Sequence, residues 1–129
     1  MTPGDGDKGD DGGDADNASA VIDWSAWERL LRERGVILDR PRGSVHPRFP
    51  EMIYPLDYGY IPGTVGGDGD EIGVFVGSGA TGLTAALLTH DLGKGDRELK
   101  LLWNTTVAEI GVAYAFLQRD AMRVVLRRR

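Results

Sequence analysis

The sequence predicts an α+β fold for a single small domain, and three observations lead to this prediction. Short apolar runs of strand length fill the middle of the 129-residue chain. A segment with helical spacing of apolar residues lies near each end. Strands and helices do not alternate regularly, as they would in a parallel sheet covered by helices. The length is enough for one domain with one hydrophobic core.

The first twenty residues differ in composition from the rest of the chain, with six aspartates against one lysine. Glycine, aspartate and small polar residues cannot bury enough apolar area to offset the entropy of ordering. Residues 1–20 are therefore predicted to be a disordered acidic tail, and residues 21–129 the folded domain. The tail accounts for the whole formal charge of −5. The charge of the domain thus points to no class of partner, and apart from Arg127–Arg129 no basic stripe suggests nucleic-acid binding.

The absence of cysteine excludes disulfides and thiolate metal sites, and it favours a reducing compartment. No apolar run is long enough to span a membrane, and the N-terminus lacks the pattern of a secretory signal. We therefore expect a cytoplasmic protein that has no membrane partner.

The first helix and strand are predicted from residue 24 onward. Ser25 and Glu28 have the spacing of a capping box, and the apolar positions of residues 24–34 recur at helical intervals. Gly35 is suited to end the helix. Residues 36–38 then form a short strand, and the proline- and glycine-rich residues 40–50 form turns.

The second half of the domain is predicted to hold further strands and one helix. Thr106 and Glu109 form a second capping box, which opens a helix through about Leu117. Apolar runs predict strands at residues 72–76, 84–90, 99–103 and 122–126.

The most informative motif is the acidic loop Gly66-Gly67-Asp68-Gly69-Asp70. Two carboxylates two residues apart share a side in an extended segment, and the glycines leave room for an ion and its waters. Hard cations such as Mg²⁺ prefer such oxygen ligands. A polar hairpin turn is the competing interpretation. A calcium-binding loop is excluded because Ile72 and Gly79 stand where acids are required.

Two other patterns allow ordinary explanations. The segment from Gly77 to Gly82 matches GxGxxG, but too little chain remains for a dinucleotide-binding sheet, so a flexible connection between two hairpin strands is favoured. Asp96, Glu98 and Lys100 share one face of a strand, which predicts a solvated face or a charged site. The two histidines, His46 and His90, are predicted to be surface or loop residues, because zinc is not favoured without cysteine.

The segment Ile53-Tyr-Pro-Leu-Asp-Tyr-Gly-Tyr-Ile61, followed by Gly67-Asp-Gly-Asp70 and Val74-Phe-Val76, resembles the signature of soluble family I inorganic pyrophosphatases. Residues 39–48 upstream are similar to the small subgroup of those enzymes. The resemblance covers about residues 36–116. It implies a small closed β-barrel of OB type with flanking helices, and Mg²⁺-dependent hydrolysis of pyrophosphate to two phosphates.

The resemblance also implies roles for individual residues. Asp68 would be a primary Mg²⁺ ligand, and Asp70 would bind metal and act on the attacking water as a catalytic residue. The other metal-binding acids would be Asp39, Asp96 and Glu98. Tyr58 and Lys100 would be both catalytic and substrate-binding, and Arg48 and Tyr54 would also bind the substrate.

Gly73 stands where the family carries an aspartate, which we expect to weaken one metal site and the activity. A carboxylate restored there would be expected to find a cation as partner, so Gly73→Asp should raise Mg²⁺ affinity and rate. Gln118-Arg119 aligns only loosely with a Tyr-Lys pair of the family. The alternative function is a degenerate module of the same fold that binds phosphate or a protein partner, and a third is a nucleotide-pyrophosphate hydrolase. The oligomeric state stays open, with a homo-oligomer as one option.

Overall fold

The computed structural model describes residues 21–129, and the predicted acidic tail lies outside them. The described part is an α+β domain with two helices, as the sequence predicts, and its strands form one six-stranded sheet. The helices are α1 (Trp24–Arg34) and α2 (Val107–Leu117). The strands are β1 (Ile37–Arg40), β2 (Asp57–Tyr60), β3 (Gly73–Val76), β4 (Leu83–Asp91), β5 (Arg97–Trp103) and β6 (Met122–Arg128).

The strands are ordered β1-β2-β3-β5-β4-β6. Neighbours are antiparallel except for β3 and β5, which run parallel. Among the described strands β1 and β6 are the two edges, so the sheet is open and the expected closed barrel is not confirmed. Strand β2 is an addition to the predicted elements, since a tyrosine-rich segment with one glycine shows little apolar periodicity.

The connection from Gly77 to Gly82 does not join two hairpin strands, contrary to the prediction. It leads from β3 to β4, and β5 lies between these two strands. Gly77 N donates to the carbonyl of Trp103 and Gly79 N to that of Asn104, so the connection is tied to the end of β5. It forms no nucleotide-binding turn, because no helix follows it.

The N-cap of helix α1 lies two residues before the predicted one. Asp23, not Ser25, is the N-cap, and its side chain accepts a hydrogen bond from Ala26 N. An aspartate carries out the same function as serine here, because either oxygen satisfies a free amide of the first turn. Gly35 ends the helix with φ of 74°, as predicted.

Helix α2 confirms the second capping box. The Thr106 hydroxyl accepts from Glu109 N, and the Glu109 carboxylate accepts from Thr106 N. Glu109 also accepts from the Ser78 hydroxyl, which ties the helix start to the connection after β3. These contacts fix where the helix leaves the sheet.

The sheet has a core on each face. Phe75, Leu87 and Leu102 pack with Ile110, Ala113 and Leu117 of α2 on one face, here called the α2 face. The opposite face of the sheet packs against Leu31 of α1, through the neighbouring residues Val74, Ala86 and Leu101. Adjacent strand residues point to opposite faces, which explains the division. No helix within residues 21–129 is long and apolar enough to cross a membrane.

Candidate active site

A cleft of about 500 Å³ opens on the α2 face of the sheet, beyond the end of the core. Charged side chains of both signs line it together with aromatic rings. Most of the residues that the sequence singles out are brought together here: Asp39, Arg48, Tyr54, Tyr58, Asp68, Asp70, Glu98 and Lys100. Asp96 is not among the lining residues.

Strand register explains why distant residues meet in this cleft. Gly73 of β3 pairs with Tyr60 of β2 on one side and with Lys100 of β5 on the other. Paired residues share a face of the sheet, as do residues two apart. Tyr58 and Glu98 therefore face the same way as Lys100.

Lys100 is a charged group of the cleft with only 14% of its side chain exposed. Its ammonium donates to the Tyr58 hydroxyl oxygen at 2.9 Å and to Glu98 Oε1 at 3.1 Å. Burial opposes the ammonium charge, but the Tyr58 hydroxyl and the Glu98 carboxylate outweigh it and raise the pKa of Lys100 above its ordinary value. The site therefore contains a fixed positive charge, and Glu98 is engaged by an ion pair.

Gly73 lines the cleft, but another side chain occupies the space that a Cβ at this position would need. A Cβ added at position 73 would collide with the hydroxyl end of Tyr58. The Tyr58 ring cannot easily swing away, because it packs against Tyr54 and Phe75 with ring centroids 5.4 and 4.7 Å apart. The expectation that Gly73→Asp would simply restore a metal ligand therefore does not fit the structure, since a tyrosine fills the place of the missing carboxylate.

The acidic loop is a tight turn held by its own side chain. Asp68 Oδ1 accepts from Asp70 N at 3.0 Å. A Cβ on Gly67 would run into the carbonyl oxygen of Arg97, so glycine is needed for the loop to lie directly against the start of β5. That contact places Asp68 and Asp70 in the same cleft as Glu98.

Arg40 is a site residue that sequence reasoning missed. Its guanidinium donates to the Tyr54 hydroxyl at 2.6 Å and lies over the rings of Tyr54 and Tyr58 at 5.7 and 5.8 Å. Tyr54 itself is only 3% exposed. Tyr54 thus orients Arg40 in the cleft wall, and it is itself held against Phe116 at 4.7 Å.

The hairpin between β4 and β5 presents Asp91 to the cleft in place of Asp96. Asp96 lies 3.5 Å from the Lys94 ammonium. Asp91 Oδ1 accepts from the backbone amides of Lys94 and Gly93, which lower the pKa of this carboxyl below its ordinary value. The charge pattern of residues 91–100 alone could not separate the two aspartates, since both lie at the turn between β4 and β5.

Arg119, in the turn after α2, is a second missed cation of the cleft. Its guanidinium lies 4.1 Å from the ring centre of Phe49, and one amino group is 3.7 Å from Asp91. The other amino group, Nη1, is buried without a hydrogen-bond partner among the described residues. The loose alignment of Gln118-Arg119 with a Tyr-Lys pair was the only sequence signal for it.

The carboxylates of the cleft are of the kind that can serve as ligands of Mg²⁺. Within residues 21–129 no three carboxylate or histidine side chains converge closely enough to hold a metal alone. Mg²⁺ needs no such cage, because it is usually held by one or two carboxylates, with waters and substrate phosphates completing the shell. Four aspartates line the cleft: Asp39, Asp68, Asp70 and Asp91.

Comparisons with known proteins bear on the family and the fold of the chain. Residues 35–89 match the family model described as inorganic pyrophosphatase. No curated protein matches the chain. The fold is similar to that of three solved inorganic pyrophosphatases. That from Neisseria gonorrhoeae has a TM-score of 0.55 and 17% identity over 74% of this chain and 84% of that one. The Thermus thermophilus protein has a TM-score of 0.52 and 19% identity, and the match covers 73% of this chain and 81% of that one. The Coxiella burnetii protein has a TM-score of 0.50 and 15% identity, and the match covers 70% of this chain and 81% of that one.

These findings confirm the resemblance to soluble inorganic pyrophosphatases that the sequence predicts. The low identities are those of a small and divergent relative, and at this level the solved structures establish the fold alone.

Proposed function

We propose that the cleft hydrolyses inorganic pyrophosphate to two phosphates with Mg²⁺ as cofactor, in the cytoplasm. The observation that carries this proposal is the meeting of the acidic loop with the buried Lys100 ammonium in one cleft. Pyrophosphate is a polyanion, so carboxylates can approach it only where cations neutralise the repulsion. The family match over residues 35–89 supports the same substrate.

The cations of the cleft would hold the phosphate oxygens. Lys100 supplies a fixed charge, and Arg48 and Arg119 line the same cleft with their guanidinium groups over the Phe49 ring. Because the Tyr58 oxygen accepts from Lys100, its own hydroxyl proton remains available to donate to a phosphate oxygen. Tyr54 would act by orienting Arg40.

Asp68 and Asp70 would hold the metal, with Asp39 and Asp91 lining the same cleft. When bound, Mg²⁺ supplies charge neutralisation and lowers the pKa of a coordinated water. Glu98 is better suited to orient Lys100 than to bind metal, because its carboxylate already pairs with the ammonium. Asp96 would have no direct role, since it lies outside the cleft lining.

Asp70 would accept the proton of the attacking water. The water oxygen forms a new bond to one phosphorus, the bridging P–O bond breaks, and the bond's electron pair leaves with the second phosphate. Lys100 and Tyr58 would compensate the charge that develops on the phosphate oxygens. No covalent enzyme intermediate is needed, because water attacks directly.

The test is phosphate release from pyrophosphate by pure, folded protein, with Mg²⁺ and with a chelator in excess. We expect metal-dependent release, and slower release from nucleoside triphosphates assayed in parallel. Faster release from the nucleotides would support a nucleotide-pyrophosphate hydrolase instead. A folded protein that binds phosphate without metal-dependent release would be a non-catalytic module.

A further inference from the structure

His46 is a cleft residue to which neither the motif nor the proposed mechanism gives a role. Its ring lies parallel to that of Tyr54, with an interplanar angle of 4° and centroids 5.9 Å apart. Phe49 packs against it at 5.1 Å. Since Tyr54 is itself buried, the imidazole is held in one plane within the cleft wall.

The hydrogen bonding of the ring determines which nitrogen carries the proton. Nδ1 of His46 accepts from Arg48 N at 3.0 Å. An accepting nitrogen must present a lone pair, so the proton of the neutral ring is on Nε2. Nε2 has no hydrogen-bond partner among residues 21–129. The ring therefore has one polar group left to offer, and that group is a donor.

The surroundings keep this donor neutral. Burial and the positive charges of Arg40, Arg119, Lys100 and Arg48 lower the pKa of His46 below its ordinary value. A ring protonated at Nδ1 would also lose the bond from Arg48 N. The cleft thus contains a neutral N–H group together with four cationic side chains, and an anion is the ligand that such a set recognises.

We propose that His46 is a substrate-binding residue whose Nε2–H donates a hydrogen bond to a phosphate oxygen. The inference rests on the proposed function for the identity of the substrate, but it extends to any phosphate anion in this cleft. The backbone bond to Arg48 gives His46 a second effect, because it ties the segment that carries the Arg48 side chain to the same ring.

Two substitutions test the hydrogen-bond donor Nε2–H of His46 and its acceptor Nδ1 one at a time. In His46→Asn the amide oxygen can replace Nδ1 as acceptor for Arg48 N, but nothing replaces the Nε2–H. In His46→Gln the amide nitrogen can reach the place of Nε2, while the acceptor is lost. If the donor contacts the anion, His46→Asn should weaken phosphate binding by roughly tenfold to a hundredfold, the range for a hydrogen bond to a charged group. His46→Gln should recover most of that loss.

The measurement is calorimetric binding of inorganic phosphate and of pyrophosphate to the full chain, with KM and kcat for pyrophosphate alongside. We expect KM to rise in His46→Asn, kcat to fall less, and thermal unfolding to stay within a few degrees of the wild type. Unchanged anion binding and KM in a folded His46→Asn variant would overturn the proposal. Equal losses in the Asn and Gln variants would also overturn it, since only the ring's packing would then matter.

The outcomes for His46 and for the proposed function can be told apart. If the wild type releases no phosphate from pyrophosphate but His46→Asn still weakens phosphate binding, the function fails and the assignment of His46 holds. If the wild type hydrolyses pyrophosphate and the variant is indistinguishable from it, the assignment fails and the function holds.

Discussion

At position 73 the sequence and the structure lead to opposite expectations for one substitution. The family pattern favours an aspartate there, but the Tyr58 hydroxyl occupies the space that its Cβ would need. The bond from Lys100 to the Tyr58 hydroxyl places an ammonium of the protein beside the position of the missing acid. A cation carried by the protein and a carboxylate that recruits a cation are alternative ways to stabilise a bound anion.

We therefore predict that Gly73→Asp lowers stability and does not raise Mg²⁺ affinity. Displacing Tyr58 from a packed position should cost about 1–3 kcal/mol, as overpacking does. Urea unfolding and Mg²⁺ titration measure the two effects. Gly111→Asp is a matched control, since nothing lies within 4 Å of a Cβ at that position. An increase of both stability and Mg²⁺ affinity in Gly73→Asp would contradict this account.

Asp68 gives a separate prediction for metal binding. Asp68→Asn keeps an oxygen that can accept from Asp70 N, so the turn should persist. The amide carries no net charge, however, and Mg²⁺ affinity should fall. The concentration of Mg²⁺ that gives half-maximal phosphate release should rise, with a smaller change in the rate at saturating metal. An unchanged metal requirement would mean that Asp68 is only a turn residue.

Several site residues could be recognised from the sequence because they belong to one contiguous motif. Asp68, Asp70, Tyr54 and Tyr58 fall within seventeen consecutive residues, and all four line the cleft. Arg40, Asp91, Arg119 and His46 could not be found in this way. They reach the cleft from three segments, residues 40–46, the end of β4 and the turn after α2, and only the folded chain brings these segments together.

At the scale of elements, local chemistry predicted most helices and strands. The box of Thr106 and Glu109 located α2, and apolar runs located β3 to β6, because both signals act over a few residues. Ser25 was wrong as a cap because Asp23, two residues earlier, offers an equivalent oxygen. The insertion of β5 between β3 and β4 depends on non-local pairing, which no short window contains.

The acidic loop is the element whose placement depends most on one residue. Gly67→Ala would press a methyl group into the Arg97 carbonyl, and the loop would have to move away from β5. We predict a loss of about 1–3 kcal/mol in the free energy of unfolding. The Mg²⁺ requirement should rise as well, because Asp68 and Asp70 move with the loop.

Unfolding in urea and the Mg²⁺ dependence of phosphate release would measure these two changes. Gly111→Ala adds the same methyl group in open space on a helix, so it should be neutral or stabilising. If Gly67→Ala behaved like this control, the close approach of the loop to β5 would not matter for the site.

For the whole molecule, the described domain contains every residue to which a role is assigned. Within residues 21–129, two cores on the two faces of the sheet, covered by α1 and α2, support the cleft. The α+β class was predictable from the number and kind of elements. Closure of the sheet was expected only through the family resemblance, and the strand order leaves β1 and β6 at separate edges.

We predict that a chain without residues 1–20 unfolds at the same urea concentration as the full chain and retains its rate of phosphate release. The reason is that the two cores are formed by residues 22–126. Urea unfolding and steady-state rates of both chains provide the comparison. A large loss of stability or rate on truncation would show that the acidic segment is part of the functional domain.

The most direct test of the central claim compares pyrophosphate turnover by the wild type and by Asp70→Asn at saturating Mg²⁺. Asp70 is assigned to the proton of the attacking water, and removal of a general base lowers rates by about 10²–10⁴-fold. The account predicts a fall of that size in kcat, with the variant still folded and still binding pyrophosphate. Equal turnover by the two proteins, or no metal-dependent turnover by the wild type, would contradict it.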